Sequence, residues 1–120
     1  MTLRTQIHDH IPTWLDAINR NVGIVQLLEH LDTCQDFDES SDGSVLIGRC
    51  PFHGGDDATE FYVYSKRNTW ACYGQCHRSG TPLDFVSIKF DVSYPVAALL
   101  IQNWFSLDLV KLQLIHGEEE

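Results

Sequence analysis

The chain is organised around residues 50–76, which read Cys50-Pro51-Phe52-His53, then eighteen residues, then Cys72-Tyr73-Gly74-Gln75-Cys76. The three thiols and one imidazole stand in two close pairs, and each pair can occupy one tight turn. Such a ligand set suits a tetrahedral Zn²⁺ ion with no open position, which is the structural kind of zinc site. We therefore predict one structural zinc ion, with the ligands Cys50, His53, Cys72 and Cys76.

Other uses of these cysteines fit the sequence less well. Unpaired buried cysteines have no reason to fall in two close pairs, one of them with a histidine. A dithiol redox site usually has two residues between its cysteines and lies beside a βαβ unit, whereas three residues separate Cys72 from Cys76. Two disulfide bonds are typical of secreted chains, and the N-terminal residues 1–4 lead into no apolar signal-peptide core.

Length and composition predict one domain that is soluble and cytoplasmic. The chain has 120 residues, 43% of them hydrophobic, so it can bury a modest core that a metal ion would help to hold. No stretch approaches the roughly 18 consecutive apolar residues of a transmembrane helix. We therefore expect no membrane partner.

The net charge of −9 disfavours simple nucleic-acid binding, but the charge is unevenly distributed. Residues 1–43 carry two basic and eight acidic residues, a net charge of −6. Residues 44–90 carry five basic and four acidic residues, a net charge of +1. Residues 91–120 carry one basic and five acidic residues, a net charge of −4. Most basic residues therefore lie in the region of the metal ligands.

The N-terminal part predicts two helices and an acidic loop. Apolar residues recur at helical spacing over residues 11–20, with Pro12 in the first turn, and Asn21 is a plausible N-cap for a second helix. Residues 32–43 are acidic with serine and glycine, and predict a loop in which Cys34 is a free or half-buried thiol. The inward residues would be Ile11, Trp14, Leu15 and Ile18, then Ile24, Leu27, Leu28 and Leu31.

The middle of the chain predicts three strands that bring the ligand pairs together. Residues 44–49 lead into the first pair, residues 60–64 alternate in the manner of a strand, and residues 69–73 deliver Cys72 after a hairpin tip at 65–68. This arrangement is that of a zinc ribbon, in which two strand ends each present two zinc ligands.

The C-terminal part predicts two helices. Thr81-Pro82-Leu83-Asp84 is a helix start, followed by Phe85, Ile88 and Phe90 facing inward. A further helix over residues 95–105 would turn Val96, Leu99, Leu100 and Trp104 inward, and residues 107–115 fit neither the helical nor the strand period.

The expected fold class is α+β, a small zinc-ribbon-like antiparallel sheet flanked by helices. The one domain would comprise N-terminal helices and loop (1–43), a ribbon with trailing helices (44–106) and a C-terminal segment (107–120).

This pattern resembles the CHC2 zinc-binding domain of bacterial DnaG-type primases. The resemblance is carried by Cys50-Pro51-Phe52-His53, the hairpin, the aromatic-rich cysteine pair, Gly80 and the helix with Asp84-Phe85, and it covers residues 20–106. It implies a domain at the N-terminus of primase that helps to recognise template single-stranded DNA, before a separate Toprim-type catalytic domain. By position it implies the same four zinc ligands, and Arg67 falls at the hairpin where the family often has a basic residue.

Three features depart from the family pattern. The second ligand pair has three intervening residues instead of two, and His77 follows it where a glycine is expected, so His77 competes with Cys76 as the fourth ligand. Residues 57–59 replace the family's basic and Thr-Pro residues, which weakens the case for template contacts of the DnaG type. The chain also ends soon after the domain, so we expect no catalytic primase activity.

Six residues of the ribbon are candidates for binding nucleic acid. Tyr62, Tyr64 and Trp70 could stack on bases if they lie on the open face of the sheet, and the alternative is that they pack under the helices. Lys66, Arg67 and Arg78 could contact phosphates, and the alternative is solvated surface charge.

The leading interpretation is a stand-alone accessory subunit of the primase type, from a mobile element or phage. It would recognise single-stranded DNA, weakly when alone, or couple a priming or DNA-processing complex to DNA, with a catalytic primase, polymerase or other replication protein as partner. The alternative is a zinc-stapled protein–protein adaptor without direct DNA contact, which the acidic charge favours. A third possibility is a fragment of a longer primase.

Overall fold

Four helices and a five-stranded sheet make up the part of the chain that this computed structural model describes, residues 13–54 and 57–107. The helices are α1 (Thr13–Asn21), α2 (Ile24–His30), α3 (Pro82–Phe90) and α4 (Tyr94–Phe105). The strands are β1 (Asp38–Glu39), β2 (Val45–Gly48), β3 (Phe61–Tyr64), β4 (Thr69–Cys72) and β5 (Arg78–Gly80). The strands form one antiparallel sheet in chain order. The predicted α+β class, a small antiparallel sheet of the zinc-ribbon kind flanked by helices, is confirmed.

The two faces of the sheet differ because side chains alternate along each strand. In β3, Phe61 and Val63 are buried, whereas Tyr62 and Tyr64 are only half-buried on the opposite face. The register places Phe61 opposite Cys72 and Val63 opposite Trp70. Residues directly opposite in an antiparallel pair share a face, so the covered face carries the end of β4 that holds a metal ligand.

An aromatic stack on the covered face forms the centre of the core. The rings of Phe61 and Trp70 are stacked with centroids 5.6 Å apart, and the ring of Phe85 from α3 meets that of Trp70 edge-on at 5.9 Å. Phe52, which stands between two predicted ligands, packs against Phe85 at 4.9 Å. Aromatic pairs of this kind contribute about 0.5–1.5 kcal/mol each beyond burial of their area. The turn that carries the first ligand pair is thus anchored in the core.

Two asparagines satisfy backbone amides at helix starts. The side-chain oxygen of Asn68 accepts from the amide of Ile24, the first residue of α2, at 2.6 Å. Its side-chain nitrogen donates to the carbonyls of Asn19 at 2.8 Å and Val22 at 3.0 Å. The side-chain oxygen of Asn19 in turn accepts from the amide of Leu83 in α3 at 2.9 Å. The β3–β4 hairpin is therefore tied to α1 and α2, and α1 to α3.

The prediction that Asn21 is the N-cap of the second helix is wrong. Asn21 is the last residue of α1, and its side chain donates to the carbonyl of Ala17 at 2.8 Å. Gly23 holds the N-cap position instead and offers no side chain to the first turn. Asn68, which is distant in sequence, supplies the missing acceptor and removes the need for a local cap.

The start of α3 agrees with its prediction, and Phe85 and Ile88 face the core as predicted, but Phe90 does not. Thr81 caps α3 by accepting from the amide of Asp84 at 3.2 Å, and the carboxylate of Asp84 accepts from the amide of Thr81 at 2.9 Å. Phe90, predicted to face inward, is exposed at the end of α3, where it packs against Trp104.

The helix α4 turns only part of the predicted face to the core: Leu100 and Trp104 pack against it, whereas Val96 and Leu99 do not. Val96 and Leu99 are 42% and 56% exposed, and the buried residues are Ala97, Ala98 and Ile101. The small alanines allow α4 to approach α1 and α3 closely, and this close packing selects the face in a helix that is apolar on most sides.

Two short strands lie where the sequence predicted none. The acidic segment 32–43 contains β1, which pairs with β2, and β5 follows the second ligand pair. In the same acidic segment the ring of Phe37 packs over Gly48, where an added Cβ would lie only 2.0 Å from that ring. The predictions for Pro12 and for residues 108–115 concern residues that the structure does not describe. Among the residues that it does describe, no helix is long and apolar enough to cross a membrane.

Candidate metal centre and nucleic-acid face

The four predicted ligands meet at one point of the structure. Their ligand atoms, on Cys50, His53, Cys72 and Cys76, all lie within 4.8 Å of one another. The sulfurs of Cys50 and Cys76 are 3.5 Å apart, and Nδ1 of His53 is 3.0 Å from the Cys76 sulfur. In a tetrahedral zinc site with Zn–S bonds of about 2.3 Å, two sulfurs stand about 3.8 Å apart. The donor set and its spacing fit one Zn²⁺ ion with all four positions taken by protein.

Neighbouring strand ends bring these side chains together. Cys50 follows β2 and opens a tight turn, which closes where the amide of Gly54 donates to the Cys50 carbonyl at 2.9 Å. Cys72 is the last residue of β4, and Cys76 comes just before β5. Because β2, β3, β4 and β5 are neighbours in one sheet, the end of β2, the end of β4 and the start of β5 meet at the same edge. The short strand β5, which the sequence did not predict, orients the second turn.

The three sulfurs have different electrostatic surroundings. Burial raises the pKa of Cys72, but hydrogen bonds from the backbone amides of Gly74 and Cys76, together with those of the Cys50 and Cys76 thiols, hold that pKa below its usual range. Burial raises the pKa of Cys50. Burial, together with the neighbouring Cys50 and Cys72 thiols, raises the pKa of Cys76 to about 12. Three adjacent thiolates repel one another, and a divalent cation bound among them relieves that repulsion.

His77 stands apart from the convergent side chains. It is exposed, has a positive φ of 48°, and does not belong to the group of ligand atoms that includes Cys76. The geometry therefore favours the Cys76 thiolate over the His77 imidazole as the fourth ligand, and the ligand assignment stays a prediction to be tested below.

The structure adds one residue that the sequence did not single out. Nε2 of His53 lies 2.9 Å from a carboxylate oxygen of Glu60. One imidazole nitrogen, Nδ1, therefore contacts Cys76, and the other, Nε2, contacts Glu60. Glu60 precedes β3, and sequence reasoning used it only as part of that strand. Nothing in the spacing of the two residues predicts the contact, because the pairing of β3 with β2 and β4 brings Glu60 to the end of the sheet that carries the ligands.

The model of the CHC2 zinc finger family matches residues 11–116 of the chain. The chain belongs to the CHC2 zinc finger family. The prediction of one bound zinc ion is confirmed, since the family is a zinc finger and the chain brings together four suitable ligands. No curated protein matches the chain.

This CHC2 zinc finger is similar in fold to part of a solved primase. The crystal structure of the Aquifex aeolicus primase, comprising zinc-binding and RNA polymerase domains, superposes with a TM-score of 0.62 at 32% sequence identity. The match covers 82% of this chain and 23% of that chain. Residues 11–116 therefore correspond to a primase-type zinc-binding domain and not to a catalytic primase domain. The resemblance predicted from the sequence is confirmed.

The open face of the sheet in this CHC2 zinc finger carries a cluster of three tyrosines, hereafter the tyrosine face: Tyr62, Tyr64 and Tyr73. The Tyr62 ring is 6.1 Å from the Tyr64 ring and 5.2 Å from the Tyr73 ring. The hydroxyls of Tyr64 and Tyr73 are 2.8 Å apart, and the Arg67 guanidinium lies 5.0 Å from the centre of the Tyr64 ring. Burial and the contact with Tyr73 raise the pKa of Tyr64 to about 12. Tyr64 is therefore neutral at physiological pH.

Trp70 does not belong to the tyrosine face, and the prediction that it stacks on bases is wrong. Its side chain is 0% exposed, and its indole nitrogen donates to the carbonyl of Thr81 at 2.8 Å. The register of β4 against β3 turns Trp70 to the covered face together with Cys72. Tyr73, one residue beyond β4 and 59% exposed, takes the place on the open face that was predicted for Trp70.

The predicted cations divide between the two ends of β4. Lys66 and Arg67 are exposed in the hairpin turn that precedes β4, next to the tyrosine face. Arg78 is also exposed, but it pairs with Cys72 at the metal end of the strand. Arg78 and Lys89 line a hollow beside Cys76, and Lys89 donates to the carbonyl of Pro51 at 2.9 Å. Of the three predicted cations, two thus lie at the hairpin and one lies near the metal centre.

Proposed function

We propose that this CHC2 zinc finger contacts single-stranded template DNA and couples a priming or DNA-processing complex to it. The catalytic centre would lie in another domain or polypeptide, such as a primase, a polymerase or another replication protein, and the domain would make no primer by itself. A cytoplasmic location and an origin in a mobile element or phage belong to the same proposal.

The tyrosine face beside Arg67 is the observation that carries this proposal. Proteins that bind single strands combine aromatic side chains, on which bases stack, with cations along the backbone path. Tyr62, Tyr64 and Tyr73 form a contiguous aromatic surface, and Arg67 and Lys66 stand at its edge. Stacking contributes about 1–3 kcal/mol per base and tolerates any sequence.

The charge of the chain limits the affinity that we expect. Affinity for a nucleic acid grows with the number of phosphates that cations neutralise, and the hairpin supplies two cations in a chain of net charge −9. Screening over about 8–10 Å at physiological salt keeps repulsion from distant acids local. We therefore expect weak binding by the isolated chain, and tighter binding once a basic partner joins the complex.

The test is to measure binding of a fluorescent oligodeoxythymidylate to the zinc-loaded chain by anisotropy at several salt concentrations. Tyr73→Ala should weaken binding about 5- to 150-fold, since one base no longer stacks, and should leave the salt dependence unchanged. Tyr94→Ala is the matched control because Tyr94 is also an exposed tyrosine, at 48% against 59% for Tyr73, and lies on α4. Equal affinities for the two variants would contradict the proposed stacking.

The cations are tested in the same assay. The double substitution Lys66→Ala/Arg67→Ala should weaken binding and reduce the slope of log affinity against log salt by about 0.7 for each phosphate that is no longer neutralised. Arg49→Ala is the control, because Arg49 is exposed just after β2 and lines a hollow with Asp32 and Asp36 that includes none of the three tyrosines. A salt slope unchanged by the double substitution would exclude Lys66 and Arg67 from the DNA interface.

One observation favours the alternative role of a protein–protein adaptor. The helix α4 exposes Val96 and Leu99, which line an open hollow with Leu100, Leu107 and the polar residues Gln102, Asn103 and Ser106. Leu99→Ser should leave DNA binding unchanged and weaken assembly with the partner protein if that hollow is an interface. If Tyr73→Ala and the hairpin double substitution leave DNA binding intact while Leu99→Ser breaks the assembly with the partner protein, the adaptor role replaces the DNA-binding role.

A further inference from the structure

The imidazole of His53 is held on both sides. Its Nδ1 faces the metal centre, 3.0 Å from the Cys76 sulfur, and its Nε2 lies 2.9 Å from a carboxylate oxygen of Glu60. Both His53 and Glu60 are partly buried, so water competes less for this contact than at an open surface. In a neutral imidazole one nitrogen donates and the other accepts. If Glu60 accepts the hydrogen bond from Nε2, the lone pair of Nδ1 points at the metal.

The carboxylate of Glu60 occupies a prepared position. The backbone carbonyl of Glu60 accepts from the amide of Tyr73 at 2.8 Å, which ties it to the turn that carries Cys72 and Cys76. Gly74 leaves room for the side chain, because a Cβ at that position would lie 2.3 Å from the carboxyl carbon of Glu60. Glu60 thus spans the two ligand pairs: its backbone binds the second turn and its side chain binds the histidine of the first.

We propose that Glu60 is a positioning residue of the zinc site, which fixes the tautomer and ring orientation of His53 so that Nδ1 is the zinc ligand. Histidine ligands of metals commonly donate their second N–H to a carboxylate, and removal of such a partner typically lowers metal affinity 10- to 100-fold. The proposal depends on the zinc site and not on DNA binding. It can therefore fail or hold independently of the proposed function.

The first test measures zinc affinity by competition with a chromogenic chelator. Glu60→Ala should bind zinc about 10- to 100-fold more weakly than the unsubstituted chain. The zinc affinity of Glu60→Gln should lie between those of Glu60→Ala and the unsubstituted chain, because the glutamine amide oxygen still accepts a hydrogen bond from Nε2 but carries no charge. Glu29→Ala, which removes an exposed acid from α2, is the matched control and should leave zinc affinity unchanged. Zinc affinity of Glu60→Ala within twofold of the control would overturn the proposal.

The second test reads the tautomer directly, and its first measurement uses only the unsubstituted chain. In ¹⁵N-edited spectra of the zinc-loaded unsubstituted chain, His53 should show a metal-bound Nδ1 and a protonated Nε2 whose hydrogen exchanges slowly with water. In Glu60→Gln that hydrogen should exchange faster, because a neutral amide accepts more weakly than a carboxylate. A zinc-bound Nε2, or an Nε2 hydrogen that exchanges as fast as in a solvent-exposed histidine, would overturn the proposal.

Discussion

At the scale of single residues, the identity of the fourth zinc ligand is the sharpest question. Cys76 reaches the metal centre and the adjacent His77 does not, although either could ligate zinc chemically. Cys76→Ser should lower zinc affinity by orders of magnitude because the variant lacks a thiolate ligand, whereas His77→Ala should change it little. Competition with a chelator measures both variants, and loss of zinc from His77→Ala alone would make the assignment of Cys76 wrong.

Trp70 is a buried aromatic residue, so we expect it to stabilise the fold more than an aromatic residue on the open face does. Its ring packs on Phe61 and its indole nitrogen binds the carbonyl of Thr81, so it connects the sheet to the start of α3. Trp70→Ala should lower the free energy of unfolding by about 3–5 kcal/mol, as expected for truncating a buried aromatic residue. Urea unfolding of the zinc-loaded chain measures this decrease, with Tyr62→Ala as the control from the open face of the neighbouring strand.

The DNA-binding assay tests whether Trp70 also contacts DNA. Trp70→Phe keeps an apolar ring in the core and should bind the oligonucleotide as tightly as the unsubstituted chain. Weaker DNA binding by a Trp70→Phe variant that is shown to be folded would restore Trp70 as a DNA-binding residue.

At the scale of elements, the hairpin between β3 and β4 organises the helices through Asn68. Three hydrogen bonds join its side chain to Ile24, Asn19 and Val22, and its backbone adopts a positive φ of 59°. Asn68→Ala should cost about 2–4 kcal/mol of unfolding free energy, since it leaves the amide of Ile24 without its acceptor and puts alanine in a left-handed conformation.

A second substitution separates these two effects. Asn68→Gly removes the hydrogen bonds but tolerates the positive φ, so its stability should lie between those of Asn68→Ala and the unsubstituted chain. Asn103→Ala, an exposed asparagine on α4, is the control and should be nearly neutral. Asn68→Ala as stable as Asn103→Ala would show that the hairpin does not hold the start of α2.

At the scale of the whole molecule, metal binding and folding are coupled. The four ligands come from two turns at one edge of the sheet, and Phe52 of the first turn packs into the core. Removing zinc leaves three thiols crowded at that edge, and metal-binding free energy in such sites is folding free energy. Chelation should therefore lower the structured content of the chain, and added Zn²⁺ should restore it.

Circular dichroism during chelator titration measures this coupling. Cys72→Ser should resemble the chelated chain, whereas Cys34→Ser should behave as the unsubstituted chain because Cys34 lies outside the metal cluster. A spectrum unchanged by a chelator that demonstrably removes the zinc would contradict a folding role for the metal.

The sequence by itself determined the features that depend on short-range spacing. The ligand pairs at 50–53 and 72–76, the cap of α3 at Thr81 and the alternation of Phe61, Tyr62 and Val63 are local patterns, and local geometry makes each of them hold wherever the segment packs. The family resemblance followed from the same local patterns. These sufficed for the fold class and for the predicted zinc ligands.

Only the tertiary structure decided which face of an element is covered and which distant group completes a site. The register against β3 buries Trp70, close helix packing turns the alanines of α4 inward, and the amide of Ile24 finds its acceptor on Asn68. Glu60 reaches His53 because β3, which it precedes, pairs with β2 and β4 and starts at the metal end of the sheet, where Gly74 leaves space. These outcomes depend on contacts between segments distant in sequence, which residue spacing along one segment does not encode.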